Sequence, residues 1–402
     1  MAETASAAIT RAAAPWIEDL SPRVRRELAL EPVSARETRT ADVTVIGAGI
    51  AGLSAALAAR RAGAAVLLLE AADAIGHGAT GRNAGILSAG INMALADLPS
   101  ESPLRAMWPA TTRALLGLVE RARTPDALLS ASLTGAISLA ERPSAARHLA
   151  QEARARVALG LRAEIGTAAQ VAAATGGRLA THTLTAALWL PDEGRVQPLT
   201  LLAELAREAR MLGVRLAGGA RVVARDELGG AQANGHGATA ARWRLRLADG
   251  AEIVTRGLVV AVGPTAEPAA RIYALAFPAE LPDGFPLFWD SAPYTYCDFR
   301  PGNGRLGISG GRYGRPGATK RDAHYHAQLA AAARHWLPQL SAVAPSHAWA
   351  VDIAVATDMV PVARDLGTRA PSMAIEGLGA LGVLPGIVLG SQAGDRIART
   401  LG

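Results

Sequence analysis

A chain of 402 residues is too long for one ordinary core, and half of it is apolar, enough to fill two domains. Its formal charge of +6 comes from arginines spread along the whole chain, with Lys320 the only lysine and no basic run of five or more, so a nucleic-acid stripe is not expected. The one cysteine, Cys297, excludes an internal disulfide framework and a cysteine-based metal site, and the histidines show no metal-ligand spacing with acidic partners.

Residues 1–41 place Pro15, Pro22 and Pro32 amid mixed charge. They lack the apolar stretch of a secretory signal and are expected to form an arm lying on the domain surface. No stretch of 18 or more apolar residues is free of charge, so a membrane span is not expected and a soluble, cytoplasmic protein is.

The stretch "VIGAGIAGL", Val45 to Leu53, carries a GxGxxG pattern that turns up by chance in a chain with 42 glycines. Its context decides. An apolar run at 43–46, a helical stretch at 50–61 and a second apolar run at 65–69 make a β-α-β unit that ends in Glu70. Gly47 permits the tight turn off the strand, Gly49 lets the backbone approach a pyrophosphate, and Gly52 lets the helix pack close to the sheet. Ile50 and Ala51 open the helix whose N-terminus faces the phosphates, and Glu70 takes the ribose hydroxyls. The unit predicts binding of an ADP-containing dinucleotide.

Immediately after Glu70, "AADAIGHGATGRNAGIL" sets Ala71, Gly78, Ala79, Thr80, Arg82, Asn83, Ala84, Gly85 and Ile86 in a loop, with His77 just before Gly78. The chain then turns to helical periodicity from about 97 to 190. A helix after Pro198 followed by a strand, Val222, and the run "VVAVG" containing Ala261, Val262 and Gly263 read as further parts of the nucleotide domain. "LFWDSAPYTYCDFRPGNGRLGISGG" predicts two strands joined by a Pro-Gly-Asn-Gly turn, the first bearing Trp289 and then Tyr294, Tyr296 and Asp298 on one face. These could line an amine pocket. The last 30 residues predict a strand, a glycine-containing loop and a helix starting near Ser391.

The combination of "VIGAGIAGLSAAL", Glu70 and "GATGRNAG" resembles the D-amino-acid-oxidase-like family of FAD-dependent amine and amino-acid oxidoreductases, which includes glycine and sarcosine oxidases. The likeness runs over about 35–402. It implies an α/β fold class, in which a Rossmann-like FAD-binding domain of the glutathione-reductase type (42–95, 190–264 and 345–402) is interleaved with an α+β, antiparallel-sheet substrate domain (96–189 and 265–344). It also implies that the Val222 backbone reads the adenine, and that Gly386, Ile387 and Val388 bring N–H dipoles beside the helix to the reduced flavin, in a loop where Pro385 removes one donor. FAD is expected to be non-covalent, with His77 the candidate should it be attached. The chemistry implied is hydride transfer from the carbon beside a primary or secondary amine to the flavin, with oxygen or another acceptor receiving the electrons.

The amino-acid-oxidising relatives carry a W-x-G-x-R-P pattern whose arginine clamps the substrate carboxylate. Laid on "WAVDIAVATDMVP", it places Val351, Ile353 and Ala354 at the glycine, arginine and proline positions, so the clamp is missing. With the arm style of "PWIEDL" ahead of "ADVTVIGAGIAG", the chain better resembles the γ-glutamylputrescine-oxidase-like branch that oxidises larger amines; Arg300 and Arg312 are kept as candidate substitutes for the clamp. Tyr296, Arg300 and Gly386 are the candidates nearest the chemistry. Relatives that reduce oxygen place a lysine on the strand corresponding to 305–311, and this chain has none there. Two alternatives stand beside an amine oxidoreductase: the same chemistry on an amino acid or carrier-bound amino group, and an electron-transfer or degenerate FAD-binding subunit. The oligomeric state is not set by the sequence.

Overall fold

The computed structural model describes residues 13–32, 39–229, 241–263, 269–290 and 297–402. Two eight-stranded sheets organise these residues. In the first, Arg39–Ile46 lies between Val66–Leu69 and Glu252–Val260, with Arg215–Ala217 beyond Val66–Leu69, all parallel. Glu252–Val260 forks: its start pairs antiparallel with Arg242–Leu247, and its end pairs parallel with Ser372–Glu376. Successive residues of Val66–Leu69 are all buried, as expected of a parallel strand covered on both faces.

One face of this sheet is covered by helices Ile50–Arg61, Pro198–Met211 and Val383–Leu401. Gly386, Gly390 and Gly394 form a stripe along the last helix at four-residue spacing, where side chains share a face. A Cβ at Gly390 or Gly394 would collide with the carbonyl oxygens of Ala51 and Ala55, so the stripe lets two helix backbones approach closely.

The second sheet runs in the order His347–Ala354, Ala269–Pro278, Arg305–Gly314, Cys297–Gly302, Leu287–Asp290, Ala136–Ala140, Ala186–Leu190, Glu164–Gly166. It is antiparallel apart from the parallel pair Leu287–Asp290 with Ala136–Ala140. One face packs Tyr273, Leu275, Phe299 and Ile308 against Leu329, Ala333 and Trp336 of helix Asp322–Trp336. The expected hairpin is present as Cys297–Gly302 with Arg305–Gly314, turning at Asn303 (φ 58°) and Gly304 (φ 66°), the two positive angles a two-residue type I′ loop needs, but Trp289 is not on its first strand: it lies on the separate strand Leu287–Asp290, opposite Asp298.

Four expectations are corrected. The stretch 97–190 is not wholly helical: Ala136–Ala140 and Ala186–Leu190 are central strands, short alanine-rich runs buried on both faces and therefore without alternation. His347–Ala354 pairs with Ala269–Pro278, so this part of 345–402 lies in the second sheet. The arm does not merely lie on the surface, because Trp16, Val24 and Leu28 are buried in the same core as the Rossmann helices. The C-terminal helix begins at Val383, eight residues before Ser391, since its apolar first turn reads as loop until it is packed.

Candidate active site

At the C-terminal ends of the first sheet's parallel strands lies a groove of about 780 Å3. Its lining joins most of the residues expected to hold a dinucleotide: Gly47, Gly49, Ile50, Ala51, Glu70, Ala71, Gly78, Ala79, Thr80, Arg82, Val222, Ala261, Val262 and Gly263. Gly47 has φ +100°, and a Cβ there would strike the Ala261 carbonyl. Gly52 does not line the groove; a Cβ on it would strike the Gly47 carbonyl, so its task is helix-to-loop packing. Glu70 accepts the Ala48 N–H at 2.9 Å and the Ala72 N–H at 3.1 Å, which fixes its carboxylate beside the glycine loop. The Ile50 N–H is taken by Thr80 Oγ1 at 3.2 Å, one of the donors that a first helical turn leaves without an intrahelical acceptor.

The groove fits FAD on its own terms. A Cβ at Gly49 would meet only Thr80 Oγ1, at 3.3 Å, and one at Gly78 or Gly263 would meet nothing within 4 Å. At these three positions the missing side chain leaves room on the groove side. A helix N-terminus with a carboxylate fixed beside its glycine loop matches a pyrophosphate and the adjoining ribose.

The groove runs into an inner chamber of about 100 Å3, with which it shares Ile50, Thr80, Arg82, Val351, Ile353 and Leu378. One wall is the second sheet. Trp349, Ala274, Ser309 and Asp298 stand directly opposite one another across four strands and so share a face. Val351 and Ile353 continue that wall, and Asn83, Ala84 and Ile86 form another. The third wall is the segment from Leu378 to Val383.

That third wall corrects the expectation for Pro385, Gly386, Ile387 and Val388, which lie within the helix rather than before it. The Gly386 N–H is spent on the Gly382 carbonyl at 2.9 Å, and Pro385 sits in the first turn, where its missing donor costs nothing. The helix end that faces the chamber is Gly382 and Val383.

Arg300 is not a substrate group. It is 5% exposed, donates to the carbonyls of Val196 (3.1 Å) and Gly85 (3.4 Å), and stacks 4.7 Å over the Trp16 ring. Burial, with Arg195 nearby, pushes its guanidinium down to about 9. It underpins Gly85, whose φ of +74° and contact with the Val196 carbonyl exclude a side chain there. Trp289 packs with Ile86, Leu188 and Leu287 and does not line the chamber, and Arg312 is exposed away from it. Tyr294 and Tyr296 lie outside the described residues. His77 lines neither groove nor chamber; it is exposed and pairs with Asp73 at 3.8 Å.

Two positioning devices escaped the sequence reading. Asn92 donates from Nδ2 to the Leu378 carbonyl at 3.0 Å and accepts the Leu381 N–H on Oδ1 at 2.9 Å, clamping the third wall. Its own loop is held by buried acids: Glu193 accepts the Ala89 N–H and Glu152 the Ala96 N–H, each at 2.8 Å, and Arg156 bridges the two carboxylates. Indole N–H groups hold the other loop, from Trp16 to the Asn83 carbonyl (2.9 Å) and from Trp349 to the Arg82 carbonyl (2.8 Å). No motif marks these residues, because their partners are distant in sequence.

A family model described as DAO, FAD dependent oxidoreductase, matches residues 42–396. No curated protein sequence matches the chain. Among solved structures it is similar to glycine oxidase from Geobacillus kaustophilus, at 20% identity and TM-score 0.71 over 90% of this chain and 95% of that one. L-proline dehydrogenase from P. horikoshii gives 17% and 0.73 over 90% and 95%. Iminodiacetate oxidase from Chelativorans sp. BNC1 gives 19% and 0.67 over 89% and 94%. At such identities the structural likeness establishes the fold. With the family model spanning most of the chain, the groove, its glycine loop and Glu70 belong to a member of the DAO family of FAD-dependent oxidoreductases.

Proposed function

We propose that the chain oxidises a primary or secondary amine that carries no α-carboxylate. The observation that carries this reading is the sheet wall of the chamber, where Ile353 (4% exposed) and Val351 stand on the strand from which an arginine would reach a carboxylate. A desolvated carboxylate needs a charge-assisted partner. Arg300 is committed to backbone carbonyls, and Arg82, the one guanidinium lining the chamber among the described residues, is exposed on the cofactor loop.

When bound, FAD supplies the two-electron acceptor for the hydride of the C–H bond beside the amine, leaving an imine that water hydrolyses. The protein's part is to hold the amine in its neutral, hydride-donating form against that acceptor. Asp298, the only carboxylate lining the chamber among the described residues, attracts a cationic substrate and takes its ammonium proton on a side-chain oxygen. Ile272, Ala274, Val351 and Ile353 exclude water from the substrate's carbon chain. The electron acceptor is oxygen or a second oxidant; Lys320, on the turn Thr319–Arg321, does not line the chamber.

The test is anaerobic bleaching of the FAD-loaded protein by matched pairs, each an amine and its α-carboxylated counterpart. Faster bleaching by the plain amine supports the reading. Saturable bleaching by the amino acid alone, abolished in Arg82→Met, would replace it with carboxylate recognition from the loop.

A further inference from the structure

The family match begins at residue 42, yet the arm that precedes it holds both ends of the loop that frames the cofactor groove. At the near end, the Leu30 N–H donates to the Asp73 carbonyl at 3.0 Å, the Ile75 N–H donates to the Leu28 carbonyl at 2.9 Å, and Ala29 bridges Ala74 in antiparallel fashion. At the far end, the Trp16 indole reaches the Asn83 carbonyl at 2.9 Å. Gly76, Gly78, Ala79, Thr80 and Arg82, which line the groove, lie between these two attachments.

We propose that the arm, residues 13–32, is a strap that sets the conformation of the cofactor loop, with Trp16 as its positioning residue, so that FAD affinity depends on side chains that never touch FAD. The strap is itself anchored on both halves of the molecule. The Trp16 carbonyl takes the Gln197 side-chain N–H at 2.8 Å, and the Glu31 carbonyl takes the Gly218 N–H at 2.8 Å, at the edge of the first sheet. On the second sheet Asp19 pairs with Arg305 at 2.7 Å and Glu18 with His347 at 3.0 Å. The loop has no regular structure beyond the short turn Ala79–Arg82; Trp349 and the Ile50 N–H hold it at Arg82 and Thr80, and backbone freedom that the arm does not remove at its two ends must be removed by the cofactor on binding. An arm that fixes the loop beforehand lowers the ordering cost that FAD would otherwise meet.

The inference rests on FAD binding, and the experiment separates the two. In Trp16→Phe the ring under Arg300 is kept and one donor is lost. Titration of the apoprotein with FAD is expected to give a Kd raised about two- to tenfold, the range of one hydrogen bond, with a smaller FAD-induced rise in Tm. A purely structural indole would lower the Tm of apo and loaded forms equally, leave Kd unchanged, and overturn the proposal. Linkage supplies a second measurement on the unaltered chain: FAD should slow hydrogen exchange in the peptide containing the Leu30 amide. Unchanged exchange there overturns the strap as well. A wild-type chain that takes up no FAD fails the cofactor assignment instead.

Discussion

The cofactor groove and the inner chamber adjoin, but they are built by opposite means. The groove is made largely of backbone: Gly49, Gly78 and Gly263 leave the space, the first turn of Ile50–Arg61 supplies N–H groups, and the Glu70 carboxylate is fixed beside them by backbone N–H groups. The chamber is made of side chains from three distant stretches, the row Trp349, Ala274, Ser309, Asp298, the loop residues Asn83 to Ile86, and the segment Leu378 to Val383 that Asn92 clamps. Backbone geometry tolerates few residue types at a given position, whereas a sheet face accepts any side chain that packs. The groove's form is therefore tied to the cofactor, and the chamber's side chains are free to suit a particular substrate.

That contrast predicts separable effects. The largest falls in the groove: Glu70→Leu removes the acceptor of the Ala48 and Ala72 N–H groups together with the ribose partner, and FAD affinity should drop about a hundredfold, as for the loss of a pair of charge-assisted hydrogen bonds. Equilibrium dialysis against FAD would read it, and unchanged affinity would remove Glu70 from the site. Next comes the helix contact behind the groove. Gly394→Ala improves intrinsic helix propensity by about 1 kcal/mol, yet its Cβ meets the Ala55 carbonyl, so overpacking should leave the protein about 1–3 kcal/mol less stable in urea. A more stable variant would show that the helices are free to separate.

Chamber changes should spare the cofactor. Asn92→Leu unclamps Leu378 and Leu381, and kcat should fall about tenfold with FAD still bound, about the scale of the lost hydrogen bonds; loss of FAD in step with activity would erase the distinction between the two regions. The smallest effect concerns specificity. Ile353→Arg puts a guanidinium on the chamber wall and should shift kcat/KM by about tenfold from a plain amine toward its α-carboxylated counterpart. No shift would mean that the wall does not meet the substrate's carboxylate.

The same contrast explains what the sequence disclosed. The glycine loop and Glu70 were legible because the turn, the close approach and the helix start each demand a residue type at a fixed spacing. The hairpin at Asn303 and Gly304 was legible for a similar reason. Arg300 and Trp289 were misread: a cation and an aromatic on a pocket-facing strand look like ligand groups, and only the three-dimensional arrangement assigns Arg300 to the Gly85 and Val196 carbonyls and Trp289 to a core. Gly386 carried a helix-packing signal, four-residue glycine spacing, that reads equally as a loop. Asn92 and Trp16 gave no local signal, since each acts on backbone far away in the chain.

The most direct measurement is the visible absorption spectrum of the purified protein, taken before acid precipitation and then on the supernatant. The account predicts a two-band flavin spectrum that passes entirely into the supernatant as FAD, since His77 faces neither groove nor chamber. Colour retained in the pellet would contradict non-covalent binding, and a colourless protein that added FAD cannot restore would contradict the groove itself.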